Sequence, residues 1–253
     1  MPTALVTGAG SGIGAEFARQ LAERGCDLVL VARGREALDA LAVRLGAHGV
    51  AVEVLPADLL DDDARAGVEA RLADESHPID VLVNNAGFGL SLAFERNDIA
   101  DEVRHLRLHD EASMRLMHAA LGPMLARGRG RIVNVASIAA FMPRSTYGAV
   151  KAWLVQFSRW ANVRYAPRGV TVTAVCPGFV HTDFHARLGL RPGQEGIPGW
   201  MWLDARTVVR EGLRDAARGR SISVPSLRYK VIRRLLPLAP DRLTARLGER
   251  GRN

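Results

Sequence analysis

Tyr147 and Lys151 stand four residues apart, the spacing that brings two side chains onto one helix face about a turn from each other. There an ammonium sits beneath a phenol and favours its ionised form. An isolated tyrosine titrates near ~10, too high for easy proton exchange at neutral pH, and a neighbouring cation lowers that value. Ser137 closes the apolar run Ile132-Val133-Asn134-Val135-Ala136 and offers a second hydroxyl to the same substrate oxygen. A hydroxyl, a tuned phenol and an amine together suit reversible proton transfer to a carbonyl. The Tyr-x-x-x-Lys pair alone equally describes an amphipathic helix with a half-buried tyrosine. Composition separates the two readings. Of the 34 Lys and Arg residues only Lys151 and Lys230 are lysines, so a chain that uses arginine for nearly every cation keeps the compact, tunable amine here.

Such a site needs elements that hold it. Thr3-Ala4-Leu5-Val6-Thr7 reads as a short buried strand, followed by Gly8-Ala9-Gly10-Ser11-Gly12-Ile13-Gly14 and a helix to about Arg24. Strand, glycine turn and helix form a phosphate cradle. The backbone of Gly8, Ser11, Gly12, Ile13 and Gly14 approaches closely, and the helix N-terminus offers free amides to a pyrophosphate. A second strand, Asp27-Leu28-Val29-Leu30-Val31, ends in Ala32-Arg33-Gly34-Arg35. Enzymes selective for NAD place an acid at this strand end to hold the ribose hydroxyls; here there is none, and Arg33 is suited to a 2′-phosphate, which predicts NADP(H).

Helix 35–47, strand 50–55, helix 61–74 and strand 79–84 continue the alternation. Asp58 follows the third strand, where its carboxylate either accepts from an adenine amine or caps the helix opening in Asp61-Asp62-Asp63. The fourth strand runs into Asn84-Asn85-Ala86-Gly87, a small-residue end beside the cofactor groove. A long helical stretch to about Arg127, strand 131–136, the Tyr147 helix to about Tyr165 and strand 170–175 complete the core. This order predicts an α/β fold, a Rossmann-type doubly wound parallel sheet in a single domain, with ligands at the carboxyl ends of the strands. Beyond it lie Pro177-Gly178, a segment at about 183–205 that reads either as a substrate lid or as a surface loop pinned by Trp200 and Trp202, a helix near 204–218 and a basic amphipathic segment at 226–247. That last segment covers the pocket, joins subunits, touches a membrane surface or, as the leading reading, docks as a terminal helix.

The 253 residues suit one domain with a large core, and 48% apolar with 24% charged residues is ordinary globular composition. No apolar run is long enough to cross a bilayer, and the N-terminus enters a strand without a basic leader, so a cytoplasmic protein without membrane contact is expected. Two cysteines, Cys26 and Cys176, make neither a disulfide framework nor a metal site. The net charge of +7 is spread over helices with no basic run interleaved with aromatics, which argues against a nucleic-acid partner.

Thr7-Gly-Ala-Gly-Ser-Gly-Ile-Gly14, Asn84-Asn-Ala-Gly87, Ser137, Tyr147-x-x-x-Lys151 and Pro177-Gly178 resemble, in order and position, the classical short-chain dehydrogenase/reductase family over roughly the first 220 residues. The resemblance implies a nicotinamide cofactor. It makes Ser137 the residue that orients the substrate carbonyl and Tyr147 the acid or base, with Lys151 on the nicotinamide ribose. It brings Asn85, Ala86 and Gly87 to the cofactor, with Pro177, Gly178, Val180 and Thr182 at its carboxamide end. Arg33 matches the family's NADP-selecting position, and Asp58, with Leu59 beside it, the adenine site. Subunits of such proteins often pair through the helices that here span 100–127 and 145–165.

Two departures stand out. The interval from Ser137 to Tyr147 is short for the family, and the family's asparagine in the long helix is missing, His109 falling at its position. That asparagine is thought to hold a water that links the lysine to solvent. An imidazole with a pKa near ~6.5 can serve such a water, which predicts an inflection near neutral pH in the rate profile. The leading expectation is therefore an NADP(H)-dependent oxidoreductase acting on a ketone, aldehyde or alcohol with an apolar body. Phe88, Leu90, Phe141, Met142, Trp200 and Trp202 are the expected pocket walls. The competing reading is a cofactor-binding sensor or scaffold protein with weak or no catalysis. A nucleotide-sugar epimerase would need a larger substrate domain.

Overall fold

The computed structural model describes residues 1–91, 93–143, 145–182 and 197–241. Seven parallel strands make one sheet: β1 (Thr3–Thr7), β2 (Asp27–Ala32), β3 (Val52–Pro56), β4 (Val81–Asn84), β5 (Gly130–Val135), β6 (Val170–Val175) and β7 (Ile222–Ser223), in the order β3-β2-β1-β4-β5-β6-β7. The sheet reverses direction of growth between β1 and β4, and a ligand crevice opens where the order switches. Helices cover both faces, so the central strands are buried on both sides and read as unbroken apolar runs such as Leu28-Val29-Leu30-Val31.

α1 (Gly12–Ala22), α2 (Arg35–Gly46) and α7 (Ala205–Ala217) lie on one face, where α1 packs on both α2 and α7. α3 (Asp62–Ala73), α5 (Ser113–Ala126) and α6 (Thr146–Tyr165) lie on the other, and α8 (Leu227–Leu235) follows β7. The long helical stretch before β5 is broken. α4 (Ile99–Leu106) passes through a π-helical turn, Arg107–Ala112, into α5. A π turn inserts one residue into the helical ladder and re-aims the side chains on it. Here ions hold it. The buried Arg65 of α3 pairs with Asp62 and Glu69 and reaches Glu111, while Arg107 meets Asp62 at 2.7 Å.

The two-residue β7 is absent from the sequence reading. It pairs with the end of β6 and is tied to α7 by the buried Asp215, which accepts from Ser223 Oγ at 2.8 Å and Arg220 Nη1 at 3.0 Å. The lid expected at about 183–205 lies outside the described residues over 183–196, as does the end of the 226–247 segment beyond 241. Within that basic segment, α8 ends at Leu235 and a 3₁₀ turn carries Leu236–Leu238. Among the described residues no helix is long and apolar enough to cross a membrane, and no cluster of His, Cys, Asp and Glu could hold a metal.

Candidate active site

The glycine turn after β1 is built for close approach. Gly8 and Gly12 hold φ of 63° and 56°, a region that a side chain disfavours. A Cβ on Gly8 would sit 2.8 Å from Asn85 Nδ2, and one on Gly12 would press on Thr182 at 3.3 Å. Asn85 pins the turn by donating to the carbonyls of Thr7 and Gly8 at 3.0 and 3.2 Å, so its amide shapes the cradle. α1 starts at Gly12 with no acid in its first turn, and the Ser11 side chain does not cap it. The first amides of α1 therefore face the turn without an intrahelical partner, and the helix dipole adds positive potential. This cradle fits the pyrophosphate of a dinucleotide.

Further along the strand ends, Arg33 is exposed just past β2 and makes no ion pair with a described residue, whereas Arg35 pairs with Asp39. Asp58 is half-buried after β3 and accepts from the Leu60 amide at 3.0 Å. The cap of α3 is Asp61, which accepts from Ala64 N at 2.8 Å, and that removes the capping alternative for Asp58. Leu59 is buried beside it.

Ser137 follows β5 and caps a 3₁₀ turn, Ile138–Phe141, its Oγ accepting from Ala139 N at 3.2 Å. Tyr147 is the second residue of α6, whose N-cap Ser145 accepts from Gly148 N at 3.3 Å. Lys151, one turn on, is buried, donates from Nζ to the Val135 carbonyl at 2.7 Å, and lies 5.6 Å from the Tyr147 ring centroid. Burial brings its pKa down to about 8, against the pull of Asp110 and Cys176. At neutral pH it remains an ammonium fixed beside the phenol.

His109 projects from the π turn into the same place. Its Nε2 lies 2.8 Å from the Phe88 carbonyl and 3.2 Å from the Phe88 amide, and its ring lies edge-on to Tyr147 with centroids 5.8 Å apart. A Cβ on Gly87 would fall 2.3 Å from His109 Cε1, so the imidazole fills the space which that glycine leaves. His109 is buried, and desolvation first, then the charges of Lys151 and His105, push its pKa well below the ordinary value. The inflection expected near neutral pH does not fit that burial: the ring stays neutral through the working range.

These parts share one cavity of about 450 Å³. Gly8, Ser11, Gly12, Ile13, Asn85, Ala86 and Gly87 line one side of it, and His109, Ser137, Tyr147 and Lys151 another. Pro177, Gly178, Val180 and Thr182 close it beyond β6. Gly14 sits behind the cradle, and Arg33, Asp58 and Leu59 lie farther along the strand ends, outside this lining. Of the six aromatic and apolar residues expected as walls only Met142 lines it. Trp200 is 61% exposed, and Trp202 instead stacks on His181 at 4.7 Å, anchoring the segment after β6. The apolar wall comes from Ile138, Phe179, Met201, Tyr229, Ile232 and Leu236. The last three belong to the C-terminal elements and carry no motif; Ile232 and Leu236 stand among the apolar positions of the 226–247 segment, and nothing in the sequence signalled Tyr229.

Comparisons with known proteins show the family to which the chain belongs. A family model described as short chain dehydrogenase matches residues 2–192. Galactitol 2-dehydrogenase of Cereibacter sphaeroides is 37% identical over 233 residues, 89% of each chain. A short-chain dehydrogenase from Sphingobium yanoikuyae in complex with NADPH superposes with a TM-score of 0.85 at 37% identity, covering 92% of both chains. The bulky-bulky ketone specific alcohol dehydrogenase from Comamonas testosteroni gives a TM-score of 0.80 at 33% identity, over 92% of this chain and 91% of that one.

Proposed function

The chain belongs to the short-chain dehydrogenase family, and from that premise we propose that it is an NADP(H)-dependent oxidoreductase interconverting a ketone or aldehyde with an alcohol on an apolar substrate. The observation that carries the reading is one cavity lined at once by the glycine cradle and by Ser137, Tyr147 and Lys151. The glycine cradle holds the pyrophosphate, Arg33 the 2′-phosphate, and Asp58 with Leu59 the adenine; Val180 and Thr182 meet the carboxamide. When bound there, the nicotinamide supplies or accepts the hydride.

The protein's own groups manage the proton. Ser137 orients the carbonyl oxygen, and Tyr147 donates to it in reduction and accepts from the hydroxyl in oxidation. Lys151, held by the Val135 carbonyl, keeps a positive charge beside the phenol and favours the phenolate left after donation. His109 holds the Gly87-Phe88 backbone against Tyr147, in place of the asparagine its family carries. The apolar wall excludes water from the reacting carbonyl. A bulky-ketone dehydrogenase among the similar structures supports a ketone substrate, and the NADPH complex supports the phosphorylated cofactor.

Tyr147→Phe tests the core of this reading. NADPH binding, followed by fluorescence, should persist, while ketone-dependent NADPH oxidation should fall by about 10²–10⁴-fold. Turnover at the wild-type rate would place the proton donor elsewhere.

A further inference from the structure

α8 is apolar on two sides. Tyr229, Ile232 and, just past its end, Leu236 face inward and line the cavity. Leu227, Val231 and Leu235 recur every four residues on the other side, where the helical period gathers them into one stripe. Leu238 follows in the 3₁₀ turn Leu236–Leu238. Leu227 and Leu238 are 75% and 80% exposed, Val231 and Leu235 50% and 55%. A surface helix ordinarily turns one apolar stripe to the core and a polar face to water. A second, exposed stripe rimmed by charge marks a contact surface, unlike leucines scattered singly.

The rim is basic. On the same helical period Arg228 borders the stripe on one side and Arg234 on the other. Both are exposed and neither makes an ion pair with a described residue; Arg228 donates only to Ser226 Oγ at 3.2 Å. No acid occurs from Ser226 to Pro240. The arginines of the chain are dispersed, but its excess of positive charge is not. Residues 226–253 hold eight Lys and Arg against two Asp and Glu, and so six of the seven net charges. This combination selects the partner. A second copy would set the basic rim against itself, and four side chains fall short of the roughly 800 Å² that each partner gives to a stable protein interface. Nucleic acid would meet the arginines and leave the leucines in water. An anionic bilayer satisfies both, taking the leucines at its acyl boundary and the arginines at its phosphates.

We propose that α8 lies on an anionic lipid bilayer as a peripheral contact, with Leu227, Val231, Leu235 and Leu238 in the acyl boundary and Arg228 and Arg234 at the headgroup phosphates. The inner face of the same helix walls the cavity, so the cavity stands one helix thickness, about 10 Å, from the lipid. The contact goes beyond the oxidoreductase reading and holds whatever the cavity binds.

Vesicle flotation of the full chain tests this. Vesicles of phosphatidylcholine with about 30% phosphatidylserine should carry the protein about tenfold more strongly than phosphatidylcholine alone, and raising salt from ~50 to ~500 mM should weaken that binding. Val231→Ser with Leu235→Ser, and separately Arg228→Gln with Arg234→Gln, should each lower the anionic partition about tenfold. Arg44→Gln with Arg168→Gln removes the same charge from exposed positions on other elements and should leave the partition unchanged. Should the α8 variants fail to fold, a polarity-sensitive fluorophore on Leu238→Cys decides, because Cys26 and Cys176 are buried. Its emission should shift to the blue when anionic vesicles are added. Equal partition to both vesicles, partition that survives loss of the stripe or of the rim, an equal loss in the Arg44 and Arg168 variant, or an unshifted fluorophore would overturn the proposal. So would a dimer that binds no vesicle and separates in the serine variant, because a second copy would then cover the stripe.

Discussion

Two imidazoles sit beside the candidate proton donor, and their burial decides what they can do. His105 is fully buried, touches Phe88, His109 and Tyr147 ring to ring, and neither of its nitrogens finds a hydrogen bond among the described residues. Desolvation, then the charge of Lys151, brings its pKa down to about 4, partly opposed by Glu102. Asp110 has one carboxyl oxygen buried without a partner, and desolvation raises it to about 7, opposed by Lys151. The depressed histidines bind fewer protons folded than unfolded below pH ~6.5, so each contributes stability that is full above that value and lost on acidification below it, for His105 down to about 4. The raised Asp110 works the other way, its contribution falling as pH rises from ~3.8 to ~7. Two histidines outweigh one aspartate, so stability against urea should decline from pH 6.5 to 4.5, and His105→Leu should flatten that decline. An equal decline in the variant would show that His105 titrates normally. For His109 the expected result is a rate profile without an inflection between pH 6 and 8. His109→Asn should remain active, and His109→Ala should lose about tenfold in kcat as the Phe88 backbone loses its partner. A wild-type inflection near 6.5 that vanishes in His109→Asn would restore the proton shuttle.

Elements decide how the cavity is closed, and here the sequence was least legible. Tyr229 of α8 is 1% exposed; its hydroxyl donates to the Met201 carbonyl at 2.7 Å and accepts from the Phe179 amide at 3.1 Å. A Cβ on Gly178 would fall 1.8 Å from its ring, so the Pro177-Gly178 turn is shaped around this tyrosine. One side chain thus joins α8, the 3₁₀ turn Gly199–Met201 and the strand end that carries Val180 and Thr182. Tyr229→Phe removes the hydroxyl that the Phe179 amide and the Met201 carbonyl share, at a cost of about 1–3 kcal/mol. It should lower the melting temperature and weaken NADPH binding together, as a calorimetric titration would read. Loss of stability with unchanged cofactor affinity would show that the turn holds itself. The β-strands with apolar runs, the glycine turn and the Ser137, Tyr147 and Lys151 set were all readable, because local period and fixed spacing encode them. β7 was not, because two residues carry no period. The π turn was not, because Arg107–Ala112 continues the helical pattern on both sides. The true pocket walls were not, because Tyr229, Ile232 and Leu236 come to line one cavity with Ser137 only through the tertiary fold.

At the scale of the molecule, chemistry is divided along the carboxyl edge of the sheet. The ends of β1, β2 and β3 carry the glycine turn, Arg33 and Asp58, and those of β4, β5 and β6 carry Asn85, Ser137 and Pro177. In the proposed reading, cofactor choice therefore belongs to one half of the sheet and the proton machinery to the other. Changes more than 7–10 Å apart with no shared partner are expected to act additively. Arg33 is exposed, unpaired with any described residue, and no acid occupies the end of β2. A guanidinium there gains a charge-assisted contact with a 2′-phosphate that NADH cannot offer. The wild type should bind NADPH at least tenfold tighter than NADH, a difference of about 1.4 kcal/mol or more. Arg33→Asp should reverse the order, since the new carboxylate repels the phosphate and accepts from the ribose hydroxyls. With either cofactor saturating, kcat should hardly change, because Tyr147 and Lys151 lie on the other half of the sheet. Equal affinities in the wild type would mean that Arg33 is a solvated surface residue, and that the molecule leaves its cofactor choice open.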